Sequence, residues 1–158
     1  MADSDGPESA GKAAEAAILE AGPFVVEHAG ARVEGDVEEA GPVGIRLKRL
    51  KVSPEAHESV DLHQRASDLE ATLRPGGERL RAVEVDPVLG GGTLRSRSED
   101  MRRGRYFQID LSRSGDAEVR RFRVVPGSGE REIDGFDLTR GQLEDLVDRL
   151  AYPPTAED

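Results

Sequence analysis

Asp137-Leu-Thr-Arg-Gly-Gln-Leu-Glu-Asp-Leu-Val-Asp-Arg-Leu150 is the stretch whose reading decides the fold. Thr139 is placed as an N-cap, and Gln142, three residues on, can close a capping box onto the Thr139 amide. Leu138 before the cap and Leu143 at the fourth helical position are set for a hydrophobic staple. Leu143, Leu146, Val147 and Leu150 recur at the spacing of one helical stripe, which must be buried against another element. Arg149 falls in the last turn, where a cation suits the carbonyl end, and Pro153-Pro154 forbid continuation. The spacing therefore predicts a docking helix over residues 140–151. Upstream of it, Tyr106 to Leu111, Glu118 to Val125 and Glu132 to Leu138 read as strands, so the helix closes a strand-strand-strand-helix unit laid on a sheet.

Toward the N-terminus the signals are shorter. Phe24-Val25-Val26 and Ala31-Arg-Val33 read as strands around the turn His28-Ala-Gly30. Val43, Ile45 and Leu47 alternate, and the apolar parity then switches to Leu50 and Val52, which predicts a bulge near Lys48-Arg49. Ser53-Pro54-Glu55 has the chemistry of a helix start, and Leu62, Ala66, Leu69 and Leu73 give one face, so a helix is expected over residues 54–73. Arg74-Pro75-Gly76-Gly77 ends it and marks an internal seam. Leu80 to Val88 follows as a strand with Val83 and Val85 inward, then the turn Gly90-Gly-Gly92 and a strand from Thr93 to Ser98. Leu50-Lys-Val-Ser53-Pro-Glu and Phe136-Asp-Leu-Thr139-Arg-Gly share the order strand, cap, helix, a faint internal repeat. The expected fold class is α+β: a mostly antiparallel sheet with two helices packed on one face, and a disordered acidic N-terminal arm. The arm spans residues 1–22, within which Ser9 to Ala21 has the alanine-rich composition of a short helix; one domain spans 23–152, and a tail 153–158.

Charge is unevenly spread. The 158 residues carry 32 acids against 22 lysines and arginines, a net of −10. Residues 1–40 hold ten of the acids against Lys12 and Arg32 alone, so most of the excess sits at that end and the rest of the chain is near neutral. The absence of cysteine excludes disulfides, thiolate metal sites and a cysteine nucleophile. Met-Ala-Asp-Ser-Asp-Gly has no basic n-region, and no apolar run reaches the length of a membrane span, so a soluble, cytoplasmic protein without a membrane partner is expected.

No motif carries chemistry. His57 and Asp61 are one helical turn apart, but His57 and His63 lie on different sides, and the two-histidine spacing of a zinc helix is missing; a solvated face accounts for them. Gly90-Gly91-Gly92-Thr93 lacks the lysine and Ser/Thr of a phosphate-binding loop and reads as a hairpin turn. No serine or threonine stands beside a recognisable base. Neither a cofactor nor a metal is expected, and an enzyme ranks third among the readings.

Arginine is the remaining feature. If the central hairpin pairs Phe107 with Phe122, its core face carries Phe107, Ile109, Leu111, Phe122 and Val124. Tyr106, Gln108, Arg121 and Arg123 then face outward. Arg95, Arg97, Arg102, Arg103 and Arg105 precede it on an arginine-rich connection. Guanidinium groups beside an aromatic ring suit phosphate and base contacts. Against that, residues 74–123 balance twelve arginines with eight acids, as an ordinary ion-paired face would.

Gly104-Arg-Tyr-Phe-Gln-Ile-Asp-Leu111, with Arg121-Phe122 and Gly127-Ser-Gly129-Glu after it, resembles the opening of WGR domains, which bind nucleic acid ends in repair proteins. Phe122-Arg123-Val124 stands where their Trp-Gly-Arg belongs, so no family is assigned. The strands-then-helix order also resembles PUR-type repeats, which hold single strands on a sheet, at the level of fold alone. The leading expectation is a non-catalytic interaction module with a protein partner, engaged through the open sheet face or an edge strand. Nucleic-acid binding by the arginine face is the alternative. The oligomeric state is not written in these residues.

Overall fold

The computed structural model describes residues 9–55, 61–86, 88, 90–97 and 104–151. Its sheet joins two antiparallel meanders. The first is β1 (Gly22–His28), β2 (Ala31–Ala40) and β3 (Gly44–Pro54); the second is β4 (Arg79–Asp86), β5 (Gly91–Arg97), β6 (Arg105–Ser112) and β7 (Ala117–Val124). They meet at β3 and β7, giving the order β1-β2-β3-β7-β6-β5-β4. That junction is short, running only from Arg49 opposite Arg120 to Val52 opposite Ala117. Beyond it the two strands part. The short strands β8 (Arg131–Asp134) and β9 (Phe136–Thr139) fill the gap, β8 on β7 and β9 on β3. Lys48 is skipped in the β2–β3 register, which places the bulge where the parity switch predicts it. That bulge lies where β3 exchanges one neighbour for the other.

Three helices, not two, pack on the sheet among the described residues: α1 (Ala10–Ala17), α2 (Leu62–Thr72) and α3 (Arg140–Ala151). In α3 the capping box closes as its sequence implies, with the Gln142 amide donating to Thr139 Oγ1 at 3.0 Å and the Thr139 amide to Gln142 Oε1 at 2.9 Å. Leu143, Leu146, Val147 and Leu150 are all buried. The extra helix, α1, falls in the stretch expected to belong to the arm. Its buried face is only Ala10, Gly11, Ala13 and Ala14, too small to give a strong pattern but small enough for close approach. A Cβ on Gly11 would collide with the Glu144 carbonyl of α3, and Asp148 receives the Gly11 amide at 2.7 Å and the Ser9 hydroxyl at 2.9 Å. Residues 1–8 and 152–158 lie outside the described residues.

Two further expectations change. Ser53 and Pro54 end strand β3, opposite Arg32 and Ala31, rather than starting α2. The helix begins at Leu62 with Asp61 as its cap, receiving the Gln64 amide at 3.1 Å. Serine, proline and an acid serve a strand exit as readily as a helix entry, since a terminal strand residue can forgo its N–H. His57 and Glu58 lie outside the described residues, and His63 is exposed. In β4 a bulge between Ala82 and Glu84 turns Val83 outward, while Leu80, Ala82 and Val85 pack on the core.

One hydrophobic core takes residues from both sides of the 3-10 turn Pro75–Gly77, from Val33, Leu50 and Val52 to Leu94, Ile109 and Val119. A buried arginine crosses it. Arg65 of α2 donates to the Gly115 carbonyl in the β6–β7 turn and, at 2.7 Å, to the Leu150 carbonyl at the negative end of α3. Burial pulls its pKa down to about 10, with Asp116 only partly opposing the shift.

Candidate functional site

The hairpin of β6 and β7 is the place where the sequence and the structure diverge most. Tyr106, not Phe107, lies opposite Phe122; Phe107 is opposite Arg121, Ile109 opposite Val119 and Leu111 opposite Ala117. The turn sets this register. Ser112 N–H donates to the Asp116 carbonyl at 3.0 Å, and Gly115 at φ +101° closes a three-residue loop that a residue with a Cβ would strain. A slip of one residue exchanges every side chain between faces. The helix-side face is therefore Phe107, Ile109 and Leu111 with Ala117, Val119 and Arg121, and Phe122 points the other way.

The sheet face turned away from the helices carries an arginine–aromatic cluster built from four strands. Tyr106 and Phe122 lie with ring centroids 5.7 Å apart. Arg131 of β8 lies across the Phe122 ring, 4.0 Å from its centroid, and reaches β6, donating to Tyr106 Oη at 2.8 Å and Gln108 Oε1 at 3.0 Å. Arg95 of β5 stacks over Tyr106 at 5.3 Å and donates through Nε to the same Gln108 oxygen at 3.0 Å. Arg120 covers Phe122 from 5.1 Å and pairs with Asp110 at 2.5 Å. Beneath these guanidinium groups Tyr106, Gln108 and Phe122 are only 7%, 4% and 5% exposed. Around the cluster the face is laced with ion pairs, Arg49 with Glu118 at 3.0 Å and Lys51 with Asp116 at 3.8 Å among them.

Of the residues nominated from the sequence, Tyr106, Gln108 and Arg95 come together here. Arg121 does not. It sits on the helix side, over Phe107 and paired with Glu78 at 3.6 Å. Arg123 pairs with Glu132, and Arg105 with Asp134 at 3.7 Å. Arg97 is the last residue of β5, so Arg95, Arg97 and Arg105 belong to strands rather than to a loop. Arg102 and Arg103 lie outside the described residues. Arg120, Phe122 and Arg131 are the members the sequence reading missed. The three-residue turn ending in Gly115 is the signal that gives the first two; Arg131 depends on β8 joining β7, which no local pattern announces.

A second feature lies at the corner of the first meander. An open groove of about 630 Å³ runs between the α1–β1 connection (Leu19, Ala21) and the β2–β3 turn (Gly41, Gly44), with Ile45 and Leu138 among its lining residues. Arg140 pins both walls, donating to the carbonyls of Gly41 at 2.8 Å, Glu15 at 3.0 Å and Ile18 at 3.0 Å. Leu19 is 80% exposed, and Val43, in the turn itself, 74%. Acids dominate the lining: Glu20, Glu39 and Asp137 against Arg46. Arg46 itself is held by Asp137 at 3.0 Å, Glu38 at 3.1 Å and Asp134 at 3.6 Å. Burial opposes its charge, yet these carboxylates outweigh burial and keep its pKa above the ordinary arginine value.

Among the described residues no three histidine, aspartate or glutamate side chains gather as metal ligands, and no helix is long and apolar enough to cross a membrane. Comparison with protein families, with curated proteins and with solved structures yields no match.

Proposed function

We propose that the chain is a non-catalytic protein-interaction module whose docking surface is the corner groove. Its occupant is a partner segment with an apolar anchor flanked by lysine or arginine. The carrying observation is the coincidence of the largely exposed Leu19 with a groove whose charged lining is acidic and whose β2–β3 turn carries the exposed Val43. Exposed apolar side chains at a concave site mark interaction surfaces, and an acidic rim selects basic flanks and speeds their encounter. Nucleic-acid binding by the arginine face fits less well. A stacking platform needs an accessible ring, and Tyr106 and Phe122 lie beneath guanidinium groups.

Titration of the ¹⁵N-labelled chain with three short peptides tests this reading. One carries a leucine anchor between arginines, one the same anchor between glutamates, one arginines without the anchor. Only the first should shift the amides of Leu19, Ala21, Gly41 and Gly44, and Leu19→Asp should abolish the response. Equal shifts with the glutamate-flanked peptide, or shifts confined to other surfaces, would overturn it.

A further inference from the structure

Most arginines at the surface of this sheet are matched by carboxylates; among the described residues Arg79, Arg81, Arg95 and Arg131 are not, and of these Arg95 and Arg131 come together. Arg95 and Arg131 both donate to Gln108 Oε1, at 3.0 Å each, so the two guanidinium groups converge on one atom. Neither makes an ion pair with a carboxylate among the described residues. The nearby acid, Asp110, is already engaged by Arg120, by the Gln108 amide nitrogen at 3.1 Å and by Thr93 at 3.1 Å. Arg95 spends only Nε, and Arg131 only Nη1, which leaves both terminal nitrogens of Arg95 and the Nε and Nη2 of Arg131 as unused donors. Stacking on Tyr106 and Phe122 holds the planes in place before any ligand arrives. Two fixed, uncompensated forks side by side are what bidentate recognition of an oxyanion requires.

We propose that Arg95 and Arg131 form an anion site on the open face of the sheet that takes a phosphoryl group carried by a phosphorylated peptide side chain. Charge argues for phosphoryl over carboxylate, because two unmatched cations balance a group of about −1.5 to −2, not −1. Convergence on one atom argues for a single phosphoryl group over a nucleic-acid backbone. Among the described residues only these two guanidinium groups donate to Gln108 Oε1; Arg49 is held by Glu118, and Arg81, opposite Arg95 in the β4–β5 register, does not join them. The site shares no residue with the corner groove, and either can fail without the other.

Calorimetric titration of the full chain tests the proposal with five probes: a phosphoserine peptide, its serine and glutamate counterparts, inorganic phosphate, and a single-stranded oligonucleotide. The phosphoserine peptide should bind at least about tenfold tighter than the serine and glutamate forms, as expected for charge-assisted bonds. Arg95→Gln and Arg131→Gln should each remove most of that preference, and Arg123→Gln should leave it intact. Arg131→Lys, which keeps the charge without the planar fork, should retain the folded state and lose part of the preference; thermal melts of all variants separate loss of binding from loss of fold. Inorganic phosphate binding as tightly as the phosphopeptide would make free phosphate the ligand and overturn the peptide assignment. Tighter binding of the oligonucleotide, no preference for phosphoserine, or a preference that survives in folded Arg95→Gln and Arg131→Gln would each overturn the site.

Discussion

The two faces of the β6–β7 hairpin place arginine over phenylalanine in different surroundings. On the helix side Arg121 lies 4.8 Å from the Phe107 centroid, and Glu78 completes an ion pair whose side chains are 14% and 13% exposed. On the outer side Arg131 lies 4.0 Å from the Phe122 centroid with a hydroxyl and an amide oxygen as partners. The difference follows from desolvation. A guanidinium shut away from water loses several kcal/mol of hydration and needs a counter-charge or a full set of acceptors. At the water's edge a ring and two neutral acceptors suffice, and the unspent charge remains available. Arg65 extends the series inward, where two carbonyls replace the carboxylate and the pKa falls to about 10.

That comparison can be broken by truncation, with stability read from urea denaturation. Phe107→Ala should cost the most, about 4 kcal/mol, because it opens a cavity in the core beside Phe136. Arg65→Ala should follow at about 3 kcal/mol, since it orphans the Gly115 and Leu150 carbonyls. Phe122→Ala should cost less, about 2 kcal/mol, because the guanidinium groups above it can relax into water. If Phe122→Ala costs as much as Phe107→Ala, the outer cluster is a second core and not a surface layer.

How much of this was legible depends on how local each signal was. The helix over 140–151 declared its cap, staple and stripe within one contiguous stretch, and the parity switch around Lys48 marked the bulge. Arg65 was also readable in principle, lying three residues after Leu62 and four before Leu69, on the apolar stripe itself. The hairpin register was not settled by pattern. Both pairings give alternating strands, and matching the two phenylalanines favours the wrong one, whereas the turn at Gly115 enforces the other. Docking of α1 was hidden because alanine and glycine pack by close approach rather than by an apolar moment. The arginine cluster was half visible: Tyr106 and Gln108 follow from alternation, Arg95 was nominated from the arginine-rich connection, and Arg131 arrives from a strand whose partner only the tertiary fold supplies.

The most direct test sets Arg121→Glu against Arg123→Glu in urea denaturation under identical conditions. With Arg121 on the helix side beside Glu78, reversal of its charge should cost about 3 kcal/mol, by leaving two like charges in a desolvated layer. Arg123, exposed at the end of the hairpin, should unfold with a midpoint close to that of the unaltered chain. Residues 121 and 123 share a face by alternation, so equally small effects of the two reversals, as two solvent-facing residues would give, would contradict the register and with it the assignment of the two faces.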